Sequence, residues 1–286
     1  PLEATQYGIQ FLDGFDDHTV ADFYINTFSS NSNVVLKEGS TIYLSDLILS
    51  HLSKTEKEKI FLCKFNLKVY NEVYNNKLLL NASRRKNIYN WKRKKILPLD
   101  LYEALIRRDK RVSEYFKKSK VKYLRHGGGS KLIPNALKID KNLLGLLGYY
   151  TAEGHSDKGL NRRNRVYFSF GSHESFLIRD CIFKIKKIFG INPSINIPHS
   201  TAKQVIITSS IVCLTFKKLF KCGRISKEKR VPELVWICED KLKRIYLKSY
   251  LLGDGSIDKK WSRNSATTAS ISLQQDLCFL CGTLGL

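Results

Sequence analysis

Apolar residues recur at helical spacing in two separate parts of the chain. The first set comprises Ile178, Ile182, Ile185 and Phe189, followed directly by Gly190. The second set comprises Leu273, Leu277, Leu280 and Leu284, followed directly by Gly285. Because residues three or four positions apart share one face of a helix, each set predicts an amphipathic helix that ends near its glycine. Two helices with the same pattern indicate an internal repeat.

A second pair of segments supports the repeat. Leu146–Gly154 reads LLGYYTAEG, and Leu247–Gly255 reads LKSYLLGDG. Both segments are largely apolar and end in a small residue, an acid and a glycine, so that Glu153 aligns with Asp254. A duplicated unit is the simplest explanation. We place the first repeat at 131–240 and a second, truncated repeat at 241–286.

Strand-like segments lie between the helices of the first repeat. Arg165–Phe170 reads RVYFSF and Gln204–Thr208 reads QVIIT, and both are rich in β-branched or aromatic residues. Each copy is therefore predicted to run from a helix through strands into an amphipathic helix. The predicted fold class is α+β.

The segments that contain LLGYYTAEG and LKSYLLGDG are predicted to be helices, which we call the motif helices. Small residues form a stripe on each of them. In the first helix the stripe consists of Gly145, Gly148 and Ala152, and in the second of Ser249 and Gly253. Small side chains let two helices approach closely. We therefore expect the two helices to pack through these stripes, with their acids side by side at one end.

Glu153 and Asp254 are acids at the predicted C-terminal ends of the two motif helices, an unfavourable position for a carboxylate. A carboxylate at a helix C-terminus faces the unfavourable end of the helix dipole, which costs about 0.3–1 kcal/mol. The glycine after it has a purely structural interpretation as a left-handed helix cap. Two paired carboxylates would hold a divalent cation, with Mg²⁺ as the expected ion.

Basic residues concentrate upstream of the repeats. Ser83–Arg108 predicts a helix, a turn and a second helix that starts at Pro98. The polar side chains free to meet phosphates or base edges are those of Arg84, Arg85, Lys86, Asn90 and Lys92. The pattern is typical of a helix-turn-helix DNA-binding unit, although a basic solvated hairpin would look the same. We predict a mainly helical region of this kind over 51–126, whereas no motif in 1–50 indicates a role for that segment.

The charge balance favours a polyanionic partner. The chain has 49 Lys and Arg residues against 26 Asp and Glu residues, a formal net charge of +23. Nucleic-acid binding is the first interpretation, and a solvated surface or a ribosome-associated protein is the alternative. The sequence has no apolar run long enough to span a membrane and no signal-peptide pattern, so we expect an intracellular, cytoplasmic protein. It begins at Pro1 and lacks Met, and we expect a fragment or an excised segment.

The cysteines and histidines carry no recognisable metal site. The seven cysteines are scattered through apolar segments, which is typical of reduced core thiols. Cys278 and Cys281 form a lone C-x-x-C pair, and we expect no zinc there. His155, His173 and His199 lack ligand spacing and are assigned no role.

The two segments that end in AEG and GDG resemble the paired dodecapeptide motifs of LAGLIDADG homing endonucleases, and the first is most similar to those of archaeal inteins. The resemblance spans about 131–286. It implies two αββαββα-type repeats, related by a pseudo-two-fold axis within a monomer. It further implies Mg²⁺-dependent double-strand cleavage of DNA at a long target site, with Glu153 and Asp254 as metal ligands. Lys229 matches a lysine that lies near the metal, although a surface lysine that contacts phosphate is the alternative.

The resemblance leaves the biological context open. An intein would also splice itself, but the splicing motifs are not visible in this sequence, so flanking segments would have to supply them. An intron-encoded or freestanding enzyme is an alternative, as is a DNA-binding regulator or an RNA-splicing maturase. The retention of both acids argues against a regulator. Ser249 departs from the glycine usual at the helix crossing.

Overall fold

The computed structural model describes residues 35–65, 82–108, 110–123, 131–157, 164–258 and 263–286. The strands are β1 (Thr41–Tyr43), β2 (Ile60–Cys63), β3 (Ile96–Pro98), β4 (Lys120–Tyr123), β5 (Ile133–Pro134), β6 (Ala136–Lys138), β7 (Gly154–Ser156), β8 (Arg165–Gly171), β9 (Ser194–His199), β10 (Ala202–Thr208), β11 (Gly255–Asp258) and β12 (Arg263–Ala266). The α-helices are α1 (Leu44–His51), α2 (Lys54–Lys57), α3 (Ala82–Lys94), α4 (Leu99–Arg108), α5 (Lys141–Glu153), α6 (Ser175–Phe189), α7 (Ser210–Leu214), α8 (Glu233–Trp236), α9 (Asp240–Asp254) and α10 (Ile271–Thr283). The predicted α+β class is confirmed.

The region before the repeats contributes three strands to a four-stranded antiparallel sheet with strand order β3-β2-β4-β5, whose edge strand β5 belongs to the first repeat. The turn that the sequence predicted between α3 and α4 is present at Lys95, and it is followed by the strand β3, whose Leu97 pairs with Leu62 of β2. All of β3 is buried. Burial of this apolar strand against β2 explains why the chain extends here, within a region whose described residues are mostly helical.

From α5 onwards the first repeat follows the order α5-β7-β8-α6-β9-β10-α7, and the strands β7 to β10 form one antiparallel sheet in the order β7-β8-β10-β9. Both strands predicted from sequence are present, as β8 and β10. Along β8 the side chains of Val166, Phe168 and Phe170 are buried and alternate with partly exposed ones. One face of the sheet therefore packs on the helices and the other faces solvent.

The second repeat runs α9-β11-β12-α10, with β11 and β12 paired antiparallel. The helices α6 and α10 occupy the positions that the apolar patterns predicted. Gly190 and Gly285, which follow these helices, have φ angles of 65° and 67°. Both glycines thus take the left-handed conformation in which a side chain would be strained, and the two repeats match at this point.

The glycines after the motif helices have a different role from the one the sequence suggested. Gly154 has φ −88° and ψ 151°, and Gly255 has φ −87° and ψ 149°, so both are extended and neither is a left-handed cap. A Cβ atom on Gly154 would lie 2.6 Å from the carbonyl oxygen of Tyr150, and one on Gly255 would collide with the carbonyl of Leu251. The chain passes from helix to strand without a loop, and only glycine fits over the last helical turn.

The two motif helices, α5 and α9, lie side by side and run in the same direction. A Cβ on Gly148 would lie 2.5 Å from the carbonyl oxygen of Tyr246, and one on Gly253 would lie 2.7 Å from the Cβ of Ala152. The hydroxyl of Tyr246 donates to the Oγ1 of Thr151 at 3.0 Å. The backbones touch where the sequence has small residues, and the acid ends of both helices meet.

Residues 36–43 hold the other ends of the same two helices. The N–H of Leu36 donates to the carbonyl of Ile237 at 2.7 Å, and the N–H of Glu239 donates to the carbonyl of Leu36 at 3.0 Å, just before α9. Strand β1 pairs with β6, just before α5. One continuous hydrophobic core extends from Leu44 to Leu284 and includes the motif helices.

The helix contact yields a stability prediction. The change Gly148→Ala should lower the free energy of unfolding by about 1–3 kcal/mol, because the added methyl group meets the backbone of α9. Gly282→Ala is the matched control, since a Cβ on this helical glycine meets nothing within 4 Å. It should be neutral or stabilising by up to about 1 kcal/mol. Urea unfolding curves measure both changes, and equal midpoints for the two variants would contradict close packing of α5 on α9.

Candidate functional site

The site lies where the two motif helices end. Glu153 is the last residue of α5 and Asp254 is the last residue of α9. A Cβ on Gly253 would lie 3.2 Å from the Cγ of Glu153, so the backbone of one helix touches the acid of the other. Each repeat therefore contributes one carboxylate to the same point.

Burial perturbs both carboxyl groups, and repulsion from neighbouring acids adds to this effect at Glu153. Burial, followed by the charges of Asp254 and Glu174, raises the pKa of Glu153 to about 8. Burial also raises the pKa of Asp254 to about 6, against the opposing influence of Lys229. As a whole residue Asp254 remains exposed, and Glu153 is half-buried. The pair is partly removed from water and still accessible to a substrate.

Lys229 is buried beside the acids. Only 3% of the residue is exposed, so the surface-lysine alternative is wrong. Its Nζ donates to the carbonyl oxygen of Tyr150 and lies 3.9 Å from the centroid of the Tyr150 ring. Burial lowers the pKa of Lys229 to about 7, and the nearby Cys222, Asp254 and Glu153 oppose this shift.

The segment that carries Lys229 is fixed by contacts that sequence reasoning missed. The guanidinium of Arg230 donates to both carboxylate oxygens of Asp276 on α10, at 2.7 and 2.9 Å. Asp276 also accepts from the N–H of Val231 at 3.0 Å, and the hydroxyl of Ser270 donates to the Lys229 carbonyl at 2.7 Å. The only sequence signal was an acid on an otherwise neutral α10.

Few of the described side chains around Glu153 and Asp254 could act as further metal ligands. Glu174 couples electrostatically to Glu153, but its Oε2 already accepts from the N–H of Gly171 at 2.6 Å. Within the described ranges, no group of three or more His, Cys, Asp or Glu side chains is placed to hold a metal ion. Among the described residues, Glu153 and Asp254 are the two carboxylates that meet at this point, with Glu174 nearby.

The helix-crossing residues meet as a group. A Cβ on Gly145 would lie 2.7 Å from the Cε of Lys184 and 3.2 Å from the Oγ of Ser249. Ser249 is 8% exposed, and its Cβ lies against Gly148. Serine is tolerated at this crossing because a glycine faces it.

The predicted DNA-binding residues lie on α3. Asn90 and Lys92 are exposed, whereas the side chains of Arg84, Arg85 and Lys86 lie outside the described residues. None of the described side chains around the acid pair comes from this set. Their role in DNA binding stays a prediction.

The comparisons with known proteins reach about half of the chain. No protein-family model matches the sequence. An uncharacterized protein of Methanocaldococcus jannaschii is 32% identical over 132 residues, which is 45% of this chain and 14% of that protein. A DNA polymerase of Thermococcus litoralis is 26% identical over 152 residues, and one of Thermococcus kodakarensis is 27% identical over 151 residues. Each of these two alignments covers 52% of this chain and 8% of the polymerase.

This chain is thus similar to a small part of much longer archaeal proteins. Across the ranges that the structure describes, no helix combines the length and the apolar character needed to cross a membrane.

The raised pKa of Glu153 predicts a pH-dependent stability difference in metal-free protein. Between the ordinary value of 4.5 and the folded value of about 8, the folded state binds more protons than the unfolded state, so stability falls as pH rises. Glu153→Gln should therefore raise the urea midpoint most above pH 8, and the gain should vanish below about pH 4.5.

The control for this comparison is Glu58→Gln, which alters an exposed carboxylate. It should leave the midpoint unchanged throughout the pH range. Unfolding curves in a chelator at several pH values would measure both variants. A Glu153→Gln variant that is no more stable than wild type at pH 9 would show that Glu153 has an ordinary pKa.

Proposed function

We propose that this chain is the endonuclease part of a LAGLIDADG homing endonuclease, carried within an intein, that makes Mg²⁺-dependent double-strand breaks in DNA. The observation that supports this most directly is the meeting of Glu153 and Asp254 at the ends of two closely packed helices, beside the buried Lys229. Two partly buried acids oppose folding, because their charges lose hydration. In a chain whose net charge of +23 favours a nucleic acid, they would also repel the phosphates unless a cation accompanies them.

The donor set suits Mg²⁺. Magnesium keeps several waters and binds through one or two carboxylates together with substrate phosphates. Glu153 and Asp254 supply two such carboxylates, and both have a pKa raised by burial that a bound cation would lower again. A structural zinc ion, which needs four protein ligands, would not be satisfied by this pair.

Each group then has a role in hydrolysis. Glu153 and Asp254 would hold the ion, which when bound polarises the phosphate and activates water. Lys229 would orient the water or offset the charge that develops on the phosphate. Its amine is held by the Tyr150 carbonyl, so it is positioned before the substrate arrives. One acid from each repeat gives an arrangement suited to cutting two strands related by two-fold symmetry.

The similarity to part of archaeal DNA polymerases supports the intein context. The alignments with the Thermococcus proteins cover 8% of their length, which suits an element inserted into a longer chain. Splicing itself would depend on flanking segments, and it is part of the proposal only for the longer protein.

The test of this function is cleavage of the uninterrupted insertion-site duplex by the longest available protein, in Mg²⁺. Wild type should cut both strands, and addition of a chelator should abolish cutting. Glu153→Gln and Asp254→Asn should each bind the duplex with an affinity near that of wild type but reduce the cleavage rate by at least about 100-fold, because each removes one metal ligand.

Glu228→Gln provides a control on an exposed acid outside the pair, and it should cut normally. Binding without cutting by wild type would contradict the proposal and favour a DNA-binding regulator. Cutting that persists in a chelator would contradict the metal-dependent mechanism.

The basic helix α3 yields a separate prediction. Combined Arg84→Gln, Arg85→Gln and Lys92→Gln substitutions should flatten the dependence of log affinity on log salt concentration. The slope should fall by about 0.9 for each phosphate that the variant no longer neutralises. Fluorescence anisotropy of a labelled duplex over a range of salt concentrations measures this slope.

A control removes three exposed lysines elsewhere, through Lys37→Gln, Lys110→Gln and Lys118→Gln. If both triple variants change the slope equally, the effect comes from net charge. An unchanged slope in the α3 variant would show that this helix makes no phosphate contacts.

A further inference from the structure

The segment Lys229–Val231 connects the two repeats beside the acid pair. On one side, the amine of Lys229 donates to the carbonyl of Tyr150, which belongs to α5 of the first repeat. On the other side, the main chain of the segment contacts α10 of the second repeat and the residue that precedes it. The position of this amine therefore depends on both repeats.

Three successive residues of this segment are held by the N-terminal part of α10. Ser270 is the N-cap of that helix, and its hydroxyl also donates to the Lys229 carbonyl at 2.7 Å. Asp276, in the second turn, accepts two hydrogen bonds from the Arg230 guanidinium and one from the N–H of Val231. A bidentate contact with a planar guanidinium fixes direction as well as distance. The main chain is thus held at Lys229 and at the two residues after it.

The surroundings of Asp276 make this contact specific. Asp276 is the only charged residue of α10, and its side chain is 12% exposed. A largely buried carboxylate destabilises a fold unless hydrogen bonds and an opposite charge compensate it. Here Arg230 and Val231 supply both kinds of contact, so the acid is matched to the segment that carries Lys229.

The corresponding segment of the first repeat lacks these contacts. Residues 131–134 read KLIP and correspond to residues 229–232, which read KRVP. The arginine is thus replaced by leucine, and Cys181 of α6 stands where α10 has its acid when the helices are aligned on the glycines that follow them. Lys131 is exposed, and its amine donates to the carbonyl of Asn192 at 3.5 Å. The lysine is buried only in the segment that has the arginine–aspartate contact.

We propose that Asp276 and Ser270 are positioning residues for Lys229, through which α10 of the second repeat holds the Lys229 amine beside Glu153 and Asp254. The inference rests on the proposed nuclease function and on the role of Lys229 in it. A shift of about 1 Å in a reacting group can lower a rate about 100-fold, so residues that act only through Lys229 have large effects. Cleavage therefore requires α10 even where this helix does not contact the substrate.

The first measurement is the reactivity of individual lysine amines in the metal-free full chain, by brief treatment with acetic anhydride and peptide mass spectrometry. Asp276→Ala should raise the modification rate of Lys229 about tenfold or more, because the segment can then open locally. Lys57 and Lys184 are also largely buried, and their rates should stay unchanged. A general loss of stability would raise all three rates and would contradict a specific role for Asp276.

The second measurement is single-turnover cleavage of the insertion-site duplex in Mg²⁺. Asp276→Ala should lower the cleavage rate about 10- to 100-fold and leave DNA affinity unchanged. Added to Lys229→Met, the same substitution should lower the rate by about twofold or less, because residues that act as a unit are not additive. Asp180→Ala is the matched control, since it removes the acid of α6 that pairs with Lys184, and it should cut at the wild-type rate while folded.

Ser270 provides a second route if Asp276→Ala does not fold, which thermal unfolding curves would show. Ser270→Ala loses the hydroxyl that donates to the Lys229 carbonyl and should raise the reactivity of Lys229, whereas Ser270→Thr keeps a hydroxyl and should retain the protection. Unchanged Lys229 reactivity in the alanine variants, or equal rate losses with and without Lys229, would overturn this inference and leave the nuclease intact. Failure of wild type to cut the duplex would overturn the proposed function together with the inference.

Discussion

Close contact between α5 and α9 is the interaction on which the rest of the structure depends. Gly148 faces the backbone of α9, and Gly253 faces the Cβ of Ala152, so the helices approach too closely for larger side chains. The contact sets the distance between the acids, because each acid is the last residue of its helix. It also positions Tyr150, whose carbonyl holds the amine of Lys229. Residues 36–43 hydrogen-bond to the segments just before both helices and so hold the N-terminal ends of the helices together.

Burial of the ionisable groups of the site lowers the stability of the folded protein. Burial raises the pKa of both acids and lowers that of Lys229, so each group is held where its charged form is less stable than in water. The surroundings are well packed and hydrogen-bonded, notably through the contact of Arg230 with Asp276. Perturbed ionisable groups in a firmly held frame are characteristic of functional sites. A bound divalent cation would relieve the repulsion between the acids, which links the proposed activity to the electrostatics.

The two repeats agree in backbone and differ in side chains. The glycines that follow corresponding helices have matching angles, and the first strand pairs of both repeats have the same register. The two repeats thus share the backbone features that the helix contact and the helix-to-strand passage require. The side chains on the strands differ, because His155 and Tyr167 pair in the first repeat at the register position where Ser256 and Ser265 pair in the second.

The sequence by itself determined the elements that depend on local periodicity. The spacing of apolar residues predicted α6 and α10, and the two motifs placed an acid at the end of each motif helix, because helical pattern and termination are properties of neighbouring residues. Tertiary structure alone decided the rest. The burial of Lys229 and the contact of Arg230 with Asp276 join residues far apart in sequence. The strand β3, which the sequence did not predict, follows the turn after α3 because β2 lies beside it to pair with. Gly154 and Gly255 let the extended chain pack directly over the last helical turn, and neither is a left-handed cap. Their conformation depends on where the next strand lies.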